Sequence, residues 1–124
     1  VRRELDPQID EIARELTYQV SHAEVVSRII LGVSQASGVP VKNIRSRKQN
    51  RSTCMARNAA IWIAREATGT TWSELGRMFR RDHTTIRYAY KRFEEFLNKD
   101  HTPAKALTLA TLERVLERVR KRSK

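Results

Sequence analysis

Residues 72–93 read WSELGRMFRRDHTTIRYAYKRF, and their reading decides the fold. Thr71 and Glu74 have the spacing of a capping box, in which a hydroxyl accepts an N–H of the first helical turn. This predicts a short helix over WSELGRMF, a break at RRD and a longer helix beyond. On the longer helix Ile86, Ala89, Tyr90, Phe93 and Leu97 share one face, which leaves Thr84, Arg87, Tyr88, Lys91 and Glu95 outward. A short helix, a tight turn and a longer helix with a cationic outer face form a helix-turn-helix.

Upstream, a helix from about Ser52 to Thr68 is expected to bury Ala59, Trp62, Ile63 and Met55, with Gly69 at its C′ position. Before it lie RSRKQNR (45–51), a cationic connector without apolar periodicity, and VPVKNI (39–44), a short helical turn. Ser21 and Glu24 form a second capping box, opening a helix with Val25, Val26, Ile29, Ile30 and Val33 on its apolar face and Gly38 at its end. Asp6-Pro7 reads as an N-cap followed by a first-turn proline, with Ile9, Ile12, Ala13, Leu16 and Val20 repeating on one face. Downstream, Thr102-Pro103 starts a last helix whose Leu109, Leu112, Leu116 and Val119 step by three, four and three. No segment has strand periodicity, so the fold class is all-α: a compact helical domain holding a helix-turn-helix, with an additional N-terminal helix and a C-terminal amphipathic helix.

The chain has 124 residues, the length of one domain, and 40% of them are hydrophobic, enough for one core. Net charge is +11, and its distribution is uneven. Residues 41–92 hold thirteen Lys/Arg against three acids, Glu66, Glu74 and Asp82, so ten of the eleven excess charges sit there. That concentration favours a polyanionic partner. Cys54 is the single cysteine, which excludes an intramolecular disulfide and fits a reducing cytoplasmic compartment. No apolar run approaches the roughly 18 residues of a membrane span, so no membrane partner is expected.

The chemistry of the Asp82-His83-Thr84-Thr85 knot has several candidate readings. General acid-base or nucleophilic catalysis needs groups converging from separate elements, and neighbours on a helix point about 100° apart. No serine elbow, paired-carboxylate motif or Gly-rich phosphate loop accompanies the knot, so no catalytic residue and no nucleotide or other cofactor is expected. Cys54 reads as a small core residue. His22, His83 and His101 are scattered, without ligand spacing, and read as solvated or interface residues with no metal. Capping by Asp82 explains the carboxylate through backbone N–H bonds and the helix dipole, but not the two threonines or the cations around them. A helix N-terminus entering a DNA major groove accounts for all of these: cations hold phosphates while His83, Thr84 and Thr85 reach base edges. Asp82 then discriminates against bases that cannot donate to it.

RDHTTI after WSELGRMF resembles the C-terminal DNA-binding domain of the bacterial replication initiator DnaA, in which an R-D-H-T-T signature opens the recognition helix of a Trp-repressor-like helix-turn-helix. The resemblance extends back through ARNAAIWIAREATGTTWSELG, RSRKQNRS and SRIILGVSQASGVPVKNI, covering residues 23–98. It implies a single DNA-binding domain over 1–124, with an N-terminal helix in 1–22, the DnaA-like core in 23–98, and a C-terminal helix and basic tail in 102–124. By position it implies base contacts from Asp82, His83, Thr84 and Thr85. It implies backbone contacts from Arg51, Arg57, Arg65, Trp72 and Ser73, to which the cations Arg80, Arg81, Arg87 and Lys91 add. The family's minor-groove arginine aligns with Gln49, flanked by Lys48 and Arg47, so either Gln49 contacts the groove weakly or Lys48 substitutes. The turn before Asp82 is one residue shorter than the family's glycine-containing turn, with Arg80 in its place.

No Walker A loop is present in the 124 residues, so ATP is not an expected partner, and the flanks favour a free-standing reader over a fragment of an ATP-switched initiator. The expected partner is double-stranded DNA, bound sequence-specifically at DnaA-box-like sites in the bacterial cytoplasm and nucleoid, to regulate replication initiation or transcription. The alternatives are a promoter-binding transcriptional regulator with a different site and a protein-interaction module that uses its basic face. The stripe of the last helix packs on the first helix, or else supplies a homodimer or partner contact. The terminal RVRKRSK reads as a frayed basic tail or as a source of nonspecific phosphate contacts.

Overall fold

The computed structural model describes residues 2–122, which form seven helices: α1 (Arg2–Leu16), α2 (His22–Ser37), α3 (Val41–Ile44), α4 (Arg51–Thr68), α5 (Trp72–Phe79), α6 (His83–Asn98) and α7 (Thr102–Arg122). No strand occurs among the described residues. The expected starts of α2 and α5 are set by their hydroxyl caps: Ser21 Oγ accepts the Glu24 amide at 3.2 Å and Thr71 Oγ1 that of Glu74 at 3.1 Å. Gly38 and Gly69 end α2 and α4 in the left-handed region, at φ 80° and 65°, where a side chain would be strained.

Helix α1 starts earlier than expected. Asp6 does not cap it and Pro7 lies inside it. The reason is Leu5, which is fully buried and extends the apolar face backwards as Leu5, Ile9, Ile12 and Leu16. An interior proline costs about 3 kcal/mol, of the order that burying one leucine returns. Lys105 also pairs with Glu4 at 3.0 Å, tying this first turn to α7.

Helix α4 is the central element, packed against α1, α2, α3, α6 and α7. Its alanines 56, 59, 60, 64 and 67 are buried, and their small side chains let neighbouring helices approach closely. Trp62 is fully buried and stacks at 6.5 Å on Tyr90 and tilted at 6.2 Å on Phe93, so α6 is fastened to α4 by its inner face. Tyr90 also donates its hydroxyl to Glu66 at 2.9 Å.

The stripe of α7 packs inside the domain against both α1 and α2. Leu112, Leu116 and Val119 are buried, Leu109 is half-buried, and Ala104 and Val115 complete the face. The fit against α2 is close at Gly32, where a Cβ would sit 3.0 Å from a Val115 methyl. Buried Thr108 and Thr111 satisfy their hydroxyls on the Ala104 and Leu107 carbonyls, each at 2.8 Å. His101 is not merely solvated: its Nδ1 accepts the Ala104 amide at 3.2 Å and its ring stacks on Phe96 at 4.6 Å. The end of the basic tail, Ser123 and Lys124, lies outside the described residues. No helix among the described residues is long and apolar enough to cross a membrane.

Candidate nucleic-acid interface

The turn between α5 and α6 is built around Gly76. A Cβ there would lie 2.5 Å from the Arg81 carbonyl oxygen, so only glycine lets the chain fold back this tightly. The Arg81 amide in turn donates to the Gly76 carbonyl at 2.8 Å. Arg80 occupies the left-handed region at φ 56°, a conformation that glycine adopts without penalty and an arginine does not. Its side chain is exposed.

Asp82 caps α6. Its Oδ1 accepts the Thr84 amide at 2.7 Å and the Thr84 hydroxyl as well. These two bonds, the hydroxyl first, hold the Asp82 carboxyl below the ordinary carboxylate range. The side chain is nevertheless open to solvent, as are His83, Thr84 and Thr85, whereas Ile86 directly behind them is buried. The four-residue tip therefore projects from a helix whose next residue is already in the core.

An open concavity at this tip gathers Arg47 and Gln49 from the connector, Ser73 and Arg77 from α5, Arg80 and Arg81 from the turn, the capping Asp82, and His83 and Thr85 from α6. Four guanidinium groups thus surround one carboxylate. Arg77 is absent from the sequence-expected set, although it lies four residues after Ser73 on the same helical face. Thr84 is exposed but does not line the concavity. Arg87 and Lys91 continue along the exposed face of α6 with Tyr88, while Lys48 and Arg51 are exposed where the connector enters α4.

Three arginines expected on phosphates, Arg57, Arg65 and Arg81, direct guanidinium hydrogen bonds to backbone carbonyls of the fold. Arg57 is only 4% exposed, with Nε donating to the Ile44 carbonyl at 2.9 Å and Nη2 to those of Asn43 at 3.2 Å and Ser46 at 2.7 Å. Its Nη1 lies 4.0 Å from Cys54 Sγ, and burial pulls the guanidinium below its usual range. Arg65 is half-buried, lies 4.2 Å over the Trp72 ring and donates to the Thr70 carbonyl, bridging the end of α4 to the start of α5. The Trp72 ring also meets Tyr90 edge-on at 5.2 Å. Arg81 is part-buried too, donating to Phe79 O at 3.2 Å and Ser46 O at 2.6 Å. Burial lowers its pKa first, followed by the nearby positive charges of Arg57 and Arg47.

The connector is held at several further points. Arg45 donates to the Met78 carbonyl at 3.1 Å and to Ser27 Oγ at 3.2 Å, and the Lys48 amide to Ser46 Oγ at 3.1 Å. Cys54 is not a core residue: it is part-exposed, and its thiol donates to the Gln49 carbonyl at 3.4 Å, with the Gln49 side-chain oxygen at 3.6 Å. The connector thus presents Arg47 and Gln49 beside the tip, with Lys48 exposed between them. The whole arrangement suits a polyanion whose polar edges can be read between its charges.

Comparison with known proteins agrees with this geometry. A family model described as "Bacterial dnaA protein helix-turn-helix" matches residues 26–92, more than half of the chain. Relatives named "Chromosomal replication initiator protein DnaA" from Streptococcus pyogenes serotype M5 (strain Manfredo) and serotype M1 are each 31% identical over 78 residues, 62% of this chain and 17% of the relative. A third, from serotype M18 (strain MGAS8232), matches to the same extent. The chain therefore spans about a sixth of the length of these relatives.

Proposed function

The chain belongs to the bacterial DnaA helix-turn-helix family, and from that premise we propose that it binds double-stranded DNA sequence-specifically, at DnaA-box-like sites, as a reader acting in replication initiation. The observation that carries this reading is the exposed tip 82–85 set among Arg47, Arg77, Arg80 and Arg81. A helix N-terminus with short polar side chains, ringed by cations and backed by a buried residue, is shaped to enter a major groove.

The roles then follow from side-chain chemistry. His83 and Thr85 face the concavity and reach base edges. The Thr84 hydroxyl is donated to Asp82, so Thr84 offers its methyl to a thymine methyl. Asp82 both caps the helix and keeps acceptor capacity toward the groove, which selects for a base-edge donor such as cytosine N4. Arg47, Lys48, Arg51, Arg77, Arg80, Arg87, Lys91 and the Ser73 hydroxyl supply phosphate contacts, with Gln49 and Lys48 nearest the adjoining minor groove. Each phosphate neutralised steepens the salt dependence by about 0.9 in log-log slope.

Binding to a box duplex and to a scrambled duplex of the same composition, across a salt series, tests the reading. Tighter binding to the box with a steep linear log-log slope is expected. Equal affinity for the two duplexes would remove the claim of sequence specificity and favour an acidic protein partner for the basic face.

A further inference from the structure

Three residues far apart in sequence meet at one atom. The Ser46 carbonyl oxygen accepts Arg57 Nη2 at 2.7 Å and Arg81 Nη2 at 2.6 Å. Ser46 lies in the connector, Arg57 on the central helix α4, and Arg81 in the turn that leads into the recognition helix. A carbonyl oxygen has two lone-pair directions, and here each takes a guanidinium. Bringing two cations onto one acceptor is unfavourable for the pair. The arrangement persists because each guanidinium also holds a second element: Arg57 the Ile44 and Asn43 carbonyls, Arg81 the Phe79 carbonyl.

We infer that Arg57 and Arg81 are positioning residues that lock the connector onto the helix-turn-helix through the shared Ser46 carbonyl, so that Arg47–Gln49 and the tip 82–85 meet DNA in one fixed register. The inference rests on the DNA-reading function proposed above and deepens it. The next three residues after Ser46 carry the side chains nearest the adjoining groove, and Arg81 is the residue immediately before Asp82. A shift of this one carbonyl therefore moves the two reading surfaces relative to one another. Lysine cannot replace either arginine, since one ammonium lacks the planar fork that reaches carbonyls on two elements at once. Substitution by lysine preserves charge and so separates position from electrostatics.

The test uses Arg57→Lys and Arg81→Lys in the full chain, with hydrogen exchange of the free protein and selection of bound duplexes from a randomised pool. The expected result is exchange of amides 46–50 at least tenfold faster, with α4 and α6 amides still protected. In the selected duplexes, preference at the base pairs flanking the tip should be lost while preference at the pairs read by His83 and Thr85 is kept. Unchanged exchange in the connector overturns the inference, as does a loss of affinity that is uniform over every base pair, the signature of a plain phosphate contact. If Arg57→Lys does not fold, the less buried Arg81→Lys decides by the same exchange measurement. Absence of any sequence preference in the parent protein would strike the DNA-reading function instead, and the exchange result would still judge the lock.

Discussion

Gly76 and Arg81 approach so closely that the α5–α6 turn has no room for a methyl group: a Cβ on Gly76 would stand 2.5 Å from the Arg81 carbonyl oxygen. Backbone cannot swing aside as a side-chain tip can. Gly76→Ala should therefore cost about 3 kcal/mol of stability through overpacking, despite alanine's better helix propensity. Denaturant unfolding checks this, and a neutral or stabilising effect would show that the turn relaxes freely.

Arg80 invites the opposite substitution. Its left-handed backbone at φ 56° suits glycine, so Arg80→Gly should stabilise the fold by about 0.5–1 kcal/mol. The same change removes a cation from the concavity. Affinity should fall by a similar factor on box and scrambled duplexes, and the log-log salt slope should shrink by about 1. Retention of the full slope would mean that Arg80 meets no phosphate.

At the tip, Thr84 can be divided between its two groups. Thr84→Ser keeps the hydroxyl that Asp82 accepts and loses the methyl, so it should cost about 1 kcal/mol on a preferred site and nothing in thermal stability. Thr84→Val should do the reverse. His83→Ala should cost about 1–3 kcal/mol on the preferred site and little on random DNA. Titrations against matched duplexes beside melting curves separate these outcomes.

Asp82 links the cap to pH. Its folded pKa lies below its unfolded value, so the unfolded chain binds the proton first and stability rises with pH through that window. The contribution is complete above the unfolded carboxylate pKa and should fade as pH falls through that pKa and on through the lower folded one. Asp82→Asn retains a good cap without the charge, so its melting temperature should lose that part of the pH dependence. An Asp82→Asn profile parallel to the parent's over the whole range would assign the acid sensitivity elsewhere.

Most of the fold was legible because its signals are local. Ser21, Thr71 and Asp82 announce helix starts by type and spacing, Gly38 and Gly69 announce ends, and the face Ile86, Ala89, Tyr90, Phe93, Leu97 is evident from periodicity. The first turn of α1 escaped because the proline rule at Pro7 is local, whereas the burial of Leu5 depends on what α7 brings to it. The capped, exposed stretch 82–85 at the start of α6 was legible for the same reason as the other caps. The arginines were not: Arg57 and Arg80 look alike as letters, yet one is spent on three carbonyls and the other is exposed. Which way a long cationic side chain turns depends on unpaired carbonyls elsewhere in the fold, and Asn43, Ile44 and Ser46 leave no mark in the sequence. Cys54 misled in the same manner, since its burial depends on the path of the connector.

The bracing of α6 bears on how well the tip can be aimed. Tyr90 is clasped between Trp62 and Trp72 and tied to Glu66, whereas His83 is seven residues away, about 10 Å along the helix at 1.5 Å per residue. Between the two, Ile86 and Ala89 are buried, so only the exposed first turn extends past the packed part of the helix, and a tilt at the aromatic end is passed on to it. Small changes beneath Tyr90 should therefore alter which sequences are preferred well before they alter whether the protein is folded.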